Sequence, residues 1–370
     1  MSTKRKLIYK DIDTLRFLAA VPIVLYCVFY LMNSYKDNVI FTLTGGFKYL
    51  KMASVEFFFF LSAFLLTAHA LREYKYNSSF QLSSFLARRS LRISVHFIVL
   101  ILFTFLILPW VLNILQLNNT VGQNFYSNLI HFTSESHLFT AEQVLLVGLS
   151  WFLVMFLIFY FILGIIFKLF HLKLRVISFA LIFIGLLDRA YHTLVSDSFE
   201  LDPFAYLIPI GMGLLFGNFI RNEKRSLDPL KEISKGTNLI IYFVGGTVIV
   251  TGYFILKETY FALAIPLIIN FFFGYVIIDQ TFGKNSLFKL RKLKKLGRAG
   301  RLSYGLIVYT FIISVLTYIG MESLEFESTA ITTQLLFLFL SLALGTSVAY
   351  FTYNRIDKAI LAIKSEFKKV

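Results

Sequence analysis

The chain alternates apolar runs of roughly 20 residues with shorter stretches that collect most of its charged side chains. A helix needs about 20 apolar residues to cross the hydrocarbon of a bilayer, at a rise of about 1.5 Å per residue. Ten runs have this character: residues 15–34, 54–71, 92–116, 148–168, 174–190, 204–220, 238–256, 259–279, 302–322 and 331–354. The pattern predicts an all-α integral membrane protein of about ten transmembrane helices. The longest connectors, 118–147, 190–203 and 280–301, are too short to enclose a core of their own, so residues 1–370 read as a single transmembrane domain. The first run follows Lys4, Arg5, Lys6 and Lys10 without a small-residue cleavage site, and is expected to be a retained helix.

Basic residues orient the helices, because Lys and Arg stay on the cytoplasmic side. With the amino terminus inside, the inner segments hold 30 of the 36 Lys and Arg residues and the outer segments five, with Arg16 inside the first helix. Both termini are therefore expected in the cytoplasm. The net charge of +15 follows from this topology, since the basic residues flank apolar spans and form no soluble face with stacking aromatics; no nucleic-acid partner is expected.

Composition agrees: 57% hydrophobic residues, 15% charged residues and a mean hydropathy of +0.73 exceed what a water-soluble core of this length needs. One cysteine excludes an internal disulfide framework and a Cys-rich zinc site, leaving Cys27 as a small buried group or a reactive one. There is no His-Glu-x-x-His and no phosphate-binding Gly-rich loop, so no metal is expected. The 118–147 connector carries His131, Glu135, His137 and Glu142 and reads as a solvated connector or as a face for a polar substrate. Phe57 to Phe60 are expected to form lipid-facing and packing surface, and Gly213 with Gly217 has the spacing of close helix packing.

Charged side chains inside spans are costly and mark function. Arg16 lies at the inner end of the first span, Glu56 opens the second, Arg88, Arg89 and Arg92 crowd the start of the third, and Asp188 with Arg189 closes the fifth. Arg89 and Arg92 share a helix face and their guanidinium groups suit phosphate oxygens; Arg88 alone reads as an inner-face anchor.

Five segments carry a resemblance: Arg16 with position 27, "VEFFFFLSAFLL", the Arg89-x-x-Arg92 pair, "LSWFLVMFLIFYF" and "LGRAGRLSYGLIVY". In order and relative position they resemble the membrane acyltransferase 3 family over residues 11 to about 310. The resemblance implies a ten-helix core that moves an acyl group, most often acetyl from acetyl-CoA, to cell-surface polysaccharide or another envelope glycan, lipid-linked ones included. It also implies a bacterial plasma membrane, with no metal. It assigns acyl-CoA handling to Arg16, Arg89 and Arg92, with Arg88 beside them, and catalysis to position 27 and Glu56. Ser62, Trp151, Tyr160, Ser303, Tyr304 and Thr310 are further candidates within the same motifs.

The departures from the family pattern fall where protons move. Cys27 stands where the family has the histidine expected to act as general base, and Thr310 where many members have a second histidine. Ala63 replaces a glycine, Phe156 and Leu157 replace glutamates, and Val95 replaces a proline. Three readings follow. In one, the enzyme is active, with Cys27 carrying the acyl group as a thioester or with His69, His96 or Glu56 supplying the base. In another, the protein has lost catalysis and acts as a transporter, export factor or immunity-type receptor for a polysaccharide, lipid or peptide. In the third, Cys27 is an engineered replacement of histidine.

Overall fold

The computed structural model describes residues 10–32, 39–77, 79–114, 141–195, 202–222, 228–252, 263–326 and 331–357. Helix dominates, and no strand occurs among the described residues. The long helices are α1 (Lys10–Met32), α2 (Val39–Asn77), α3 (Leu82–Leu102), α5 (Ala141–Phe170), α6 (Leu174–Val195), α7 (Leu207–Asn222), α9 (Lys235–Thr247), α10 (Ile265–Phe282), α12 (Ser303–Ser323) and α13 (Ile331–Thr352). The short helices α4 (Leu108–Ile114), α8 (Asp228–Lys231) and α11 (Lys294–Gly300) lie between them.

Seven described stretches are long and apolar enough to cross a membrane: Ile12–Phe29, Tyr49–Tyr76, Phe152–Leu194, Phe204–Arg221, Ile265–Phe282, Ser303–Ser323 and Ile331–Ile356. One of them, Phe152–Leu194, is interrupted by the 3-10 turn His171–Lys173 and contains most of both α5 and α6. The expected spans 92–116 and 238–256 also fall on helix, but each contains a π-helical stretch, Phe103–Ile107 and Val248–Gly252. The first of these precedes Pro109, whose missing N–H breaks the regular ladder. Large exposed apolar side chains on α6, α9 and α13, among them Phe183, Phe243 and Phe339, suit lipid contact, and the chain is a multi-pass membrane protein.

The helices group into two compact units. The first comprises Met1–Ile23, Lys48–Phe80 and Ile166–Ser303. Its centre is α2. A Cβ on Gly213 of α7 would overlap the Phe60 carbonyl, and one on Gly217 would lie 2.8 Å from that of Phe64. The small-residue spacing thus brings α7 against α2 backbone to backbone. The same device joins α6 to α7, where a Cβ on Gly211 would stand 2.8 Å from the Ser178 carbonyl. Phe57 packs on Phe273 with ring centres 4.6 Å apart, and Phe59 on Tyr206 at 4.9 Å. Phe57, Phe58, Phe59 and Phe60 are all buried. That corrects the lipid-facing part of their expected role: surrounded by helices, α2 spends its aromatic run on the protein core.

The second unit comprises Val24–Phe47, Gln81–Ile165 and Tyr304–Val370. Phe156 of α5 meets Tyr304 of α12 edge to face at 6.0 Å, and Gly164 of α5 leaves room for Leu82 and Phe85 of α3. Gly345 of α13 packs on Thr310 of α12, where a Cβ would stand 2.6 Å from the threonine Cα.

Candidate active site

Glu56 does not open its helix. The helix begins at Val39, and the glutamate sits well inside it, 1% exposed. Lys48 and Lys51 interrupt the hydropathy of this run without interrupting the helix, so the apolar run starts later than the helix does. Likewise Asp188 and Arg189 lie within α6, which continues to Val195.

Three helices of the first unit converge on the Glu56 carboxylate. From α6, Arg189, itself buried, donates a short charge-assisted hydrogen bond from Nη2 to Oε1. Asn270 of α10 donates from Nδ2 to Oε2 at 3.1 Å and to the Pro266 carbonyl at 2.7 Å. Both carboxylate oxygens are therefore occupied, and the arginine charge faces its counter-charge within the protein. Breaking one side of such a pair typically costs about 3–5 kcal/mol, because the other charge stays buried. With donors from two other helices on its two oxygens, the carboxylate is held in place, and the arrangement suits a fixed electrostatic node.

The second unit holds a different cluster. His96 of α3 is 2% exposed, and its ring centre lies 5.8 Å from that of Tyr309 on α12. Gly305, one turn before Tyr309, admits the imidazole: a Cβ there would stand 3.0 Å from His96 Nε2. Thr310, next to Tyr309, is fully buried, faces Gly345, and its hydroxyl has no hydrogen-bond partner among the described residues. Tyr304 and Tyr160 are buried in the same unit, both packed on Phe156, with Tyr160 at 5.9 Å.

The other sequence candidates are placed as follows. Arg16 is mostly buried in α1 and lies 3.6 Å from the Asp13 carboxylate. Cys27 is buried at 4% exposure further along the same helix, which runs unbroken through Pro22. Eleven residues of helix hold the two about 16 Å apart. Ser62 and Ser303 are buried, and Arg89 is half-buried. His69 is exposed and uses Nδ1 on the Leu65 carbonyl at 2.6 Å. The side chains of Arg88, Arg92, Trp151 and Glu142 lie outside the described residues, as do His131, Glu135 and His137. Asn270 was not singled out by sequence: an asparagine within an apolar span carries a weak signal, and its partner lies 214 residues away.

The first unit also carries an open apolar cleft of about 760 Å³ among α7, α9 and α10, walled by Phe216, Ile241, Val244 and Phe272, with Arg175, Asn218 and Tyr275 among its polar members. Its size and lining suit a hydrocarbon chain.

The family model for the acyltransferase 3 group, described as an acyltransferase domain, matches residues 9–353. No curated protein and no solved structure matches the chain. A match over nearly the whole length, on a chain of buried polar nodes and membrane-crossing helices, places this protein in the acyltransferase 3 family of membrane acyltransferases.

Proposed function

We propose that the protein transfers an acyl group, acetyl by preference, from cytoplasmic acyl-CoA to a hydroxyl of a bacterial envelope polysaccharide or lipid-linked glycan, with His96 accepting the proton. The domain is a single one of ten crossings, with both termini in the cytoplasm of a plasma-membrane protein. Arg16, Arg89, Arg92 and Arg88 bind the donor through its phosphates.

Attack on a thioester carbonyl requires the acceptor hydroxyl to lose its proton to a base within hydrogen-bond reach. Four groups were candidates. Glu56 is engaged on both oxygens by Arg189 and Asn270. His69 is exposed and already bonded to its own helix. Cys27 could act only as a thiolate, and Arg16 is too far along an unbroken helix to stabilise one. The observation that carries the choice is the position of His96, whose imidazole is buried against Tyr309 of α12 in the unit that also holds position 310. The Glu56 node then serves as the fixed charge arrangement around which α2, α6 and α10 are held.

One observation favours a second reading, a scaffold that binds a polysaccharide, lipid or peptide without turnover. Thr310 is sealed against Gly345, so the family's second histidine position is closed by packing as well as by substitution. Purified protein in lipid, given labelled acetyl-CoA and envelope glycan, separates the two. Turnover that falls by about 10²–10⁴-fold in His96→Gln supports the enzyme with that base. Saturable glycan binding with no turnover selects the second reading.

A further inference from the structure

Beyond the Glu56 node, α6 carries a second polar group near its carboxyl end. Asp188 and His192 are four residues apart and lie on one face of the helix. Asp202, on the segment entering α7, completes the group. His192 Nε2 is 2.6 Å from Asp202 Oδ2 and 3.9 Å from Asp188 Oδ1, so two carboxylates from different segments converge on one imidazole nitrogen. All three side chains are largely buried, at 15% exposure for Asp188, 11% for His192 and 19% for Asp202.

Two buried atoms of the group, Asp188 Oδ2 and His192 Nδ1, have no hydrogen-bond partner among the described residues. Asp202 Oδ1, by contrast, accepts from the Phe204 N–H at 2.8 Å. The neighbouring Arg189 carries a single charge and is bonded to Glu56, so it does not neutralise both carboxylates. A single proton on His192 would leave one negative charge and the orphaned oxygen in place. A divalent cation would neutralise both acids, and a turn of the Asp188 carboxylate would bring its orphaned oxygen toward the metal.

We infer that Asp188, His192 and Asp202 form a binding site for a first-row transition divalent cation of the zinc class. Each residue offers one ligand atom, and all of these lie within 4.8 Å of one another. Ligands around a tetrahedral zinc stand about 3.3 Å apart, a value bracketed by the 2.6 Å and 3.9 Å seen here, so small side-chain rotations suffice. One imidazole with two carboxylates suits zinc better than magnesium or calcium, which take oxygen throughout. Three protein ligands leave a fourth position for water or a substrate oxygen. The cation would clip the end of α6 to the start of the α7 segment, one residue from Arg189. This departs from the expectation of no metal and stands independently of the proposed acyl transfer.

The test uses full-length protein in detergent, stripped with a chelator and titrated with Zn²⁺ against a chromogenic competitor. One equivalent is expected to bind, with affinity falling at least about tenfold in Asp202→Asn, Asp188→Asn and His192→Gln and unchanged in Glu232→Gln on the surface. No stoichiometric binding, or equal binding by all variants, overturns the site. Should the variants lose helical circular dichroism, zinc-edge X-ray absorption of the intact protein decides. A four-coordinate nitrogen and oxygen shell with one imidazole supports the site, and a sulfur ligand or a six-water shell overturns it.

Discussion

The Glu56 node of the first unit and the Thr310 site of the second treat buried polarity differently. In the first, Glu56, Arg189 and Asn270 come from three helices to satisfy a charge pair at membrane depth. In the second, Thr310 is fully buried with its side chain closed in by Gly345, and its hydroxyl has no hydrogen-bond partner among the described residues. One arrangement keeps an electrostatic structure that needs every member present. The other encloses a small polar group by packing alone. The difference separates what the fold requires from what the chemistry requires, and the following substitutions act on one side or the other.

The largest effect is expected from Glu56→Ala, which leaves the Arg189 charge buried without its carboxylate and should destabilise the protein by about 3–5 kcal/mol, read as thermal unfolding in detergent. The double change Glu56→Leu with Arg189→Leu should cost less than Glu56→Ala alone, since no lone charge remains. If the single and double variants melt together, the pair is not the node described.

Next comes Thr310→His. With Gly345 pressed on the threonine, the larger ring overpacks the α12–α13 contact and should cost about 1–3 kcal/mol without raising turnover. A stable variant with higher activity would show that position 310 is an open catalytic slot. Asn270→Ala removes one of the two polar supports of the Glu56 carboxylate, and a loss of about 1–3 kcal/mol is expected, without loss of the helical fold. Cys27→Ala should be the mildest, about 1 kcal/mol by unfolding, because it removes only a small buried group. It should leave turnover intact.

Much of this architecture is legible in the chain. Each expected span overlaps helix among the described residues, and seven stretches there are long and apolar enough to cross a membrane, because an apolar run of that length satisfies its backbone within the bilayer in no simpler way. Which face of a span meets protein is another matter. Lipid and protein core are equally apolar, so the run Phe57 to Phe60 carries no mark of its burial. Gly213 and Gly217 are an exception, since small residues at that spacing announce close approach and do approach closely. Long-range pairing is the least legible feature. Glu56 and Arg189 were each visible as charges in spans, but nothing in sequence joins them across 133 residues. The Asp188 and His192 spacing could have been read as one helix face, while Asp202 enters only through the fold.

The most direct test of the account is acyl transfer by purified protein in lipid, with labelled acetyl-CoA and envelope glycan, comparing the protein with Cys27→Ser, Cys27→His and His96→Gln. Label is expected on the glycan from the unaltered protein and from Cys27→Ser, with loss in His96→Gln. Turnover that appears only in Cys27→His, or a hydroxylamine-labile label on the protein that disappears in Cys27→Ser, would contradict it.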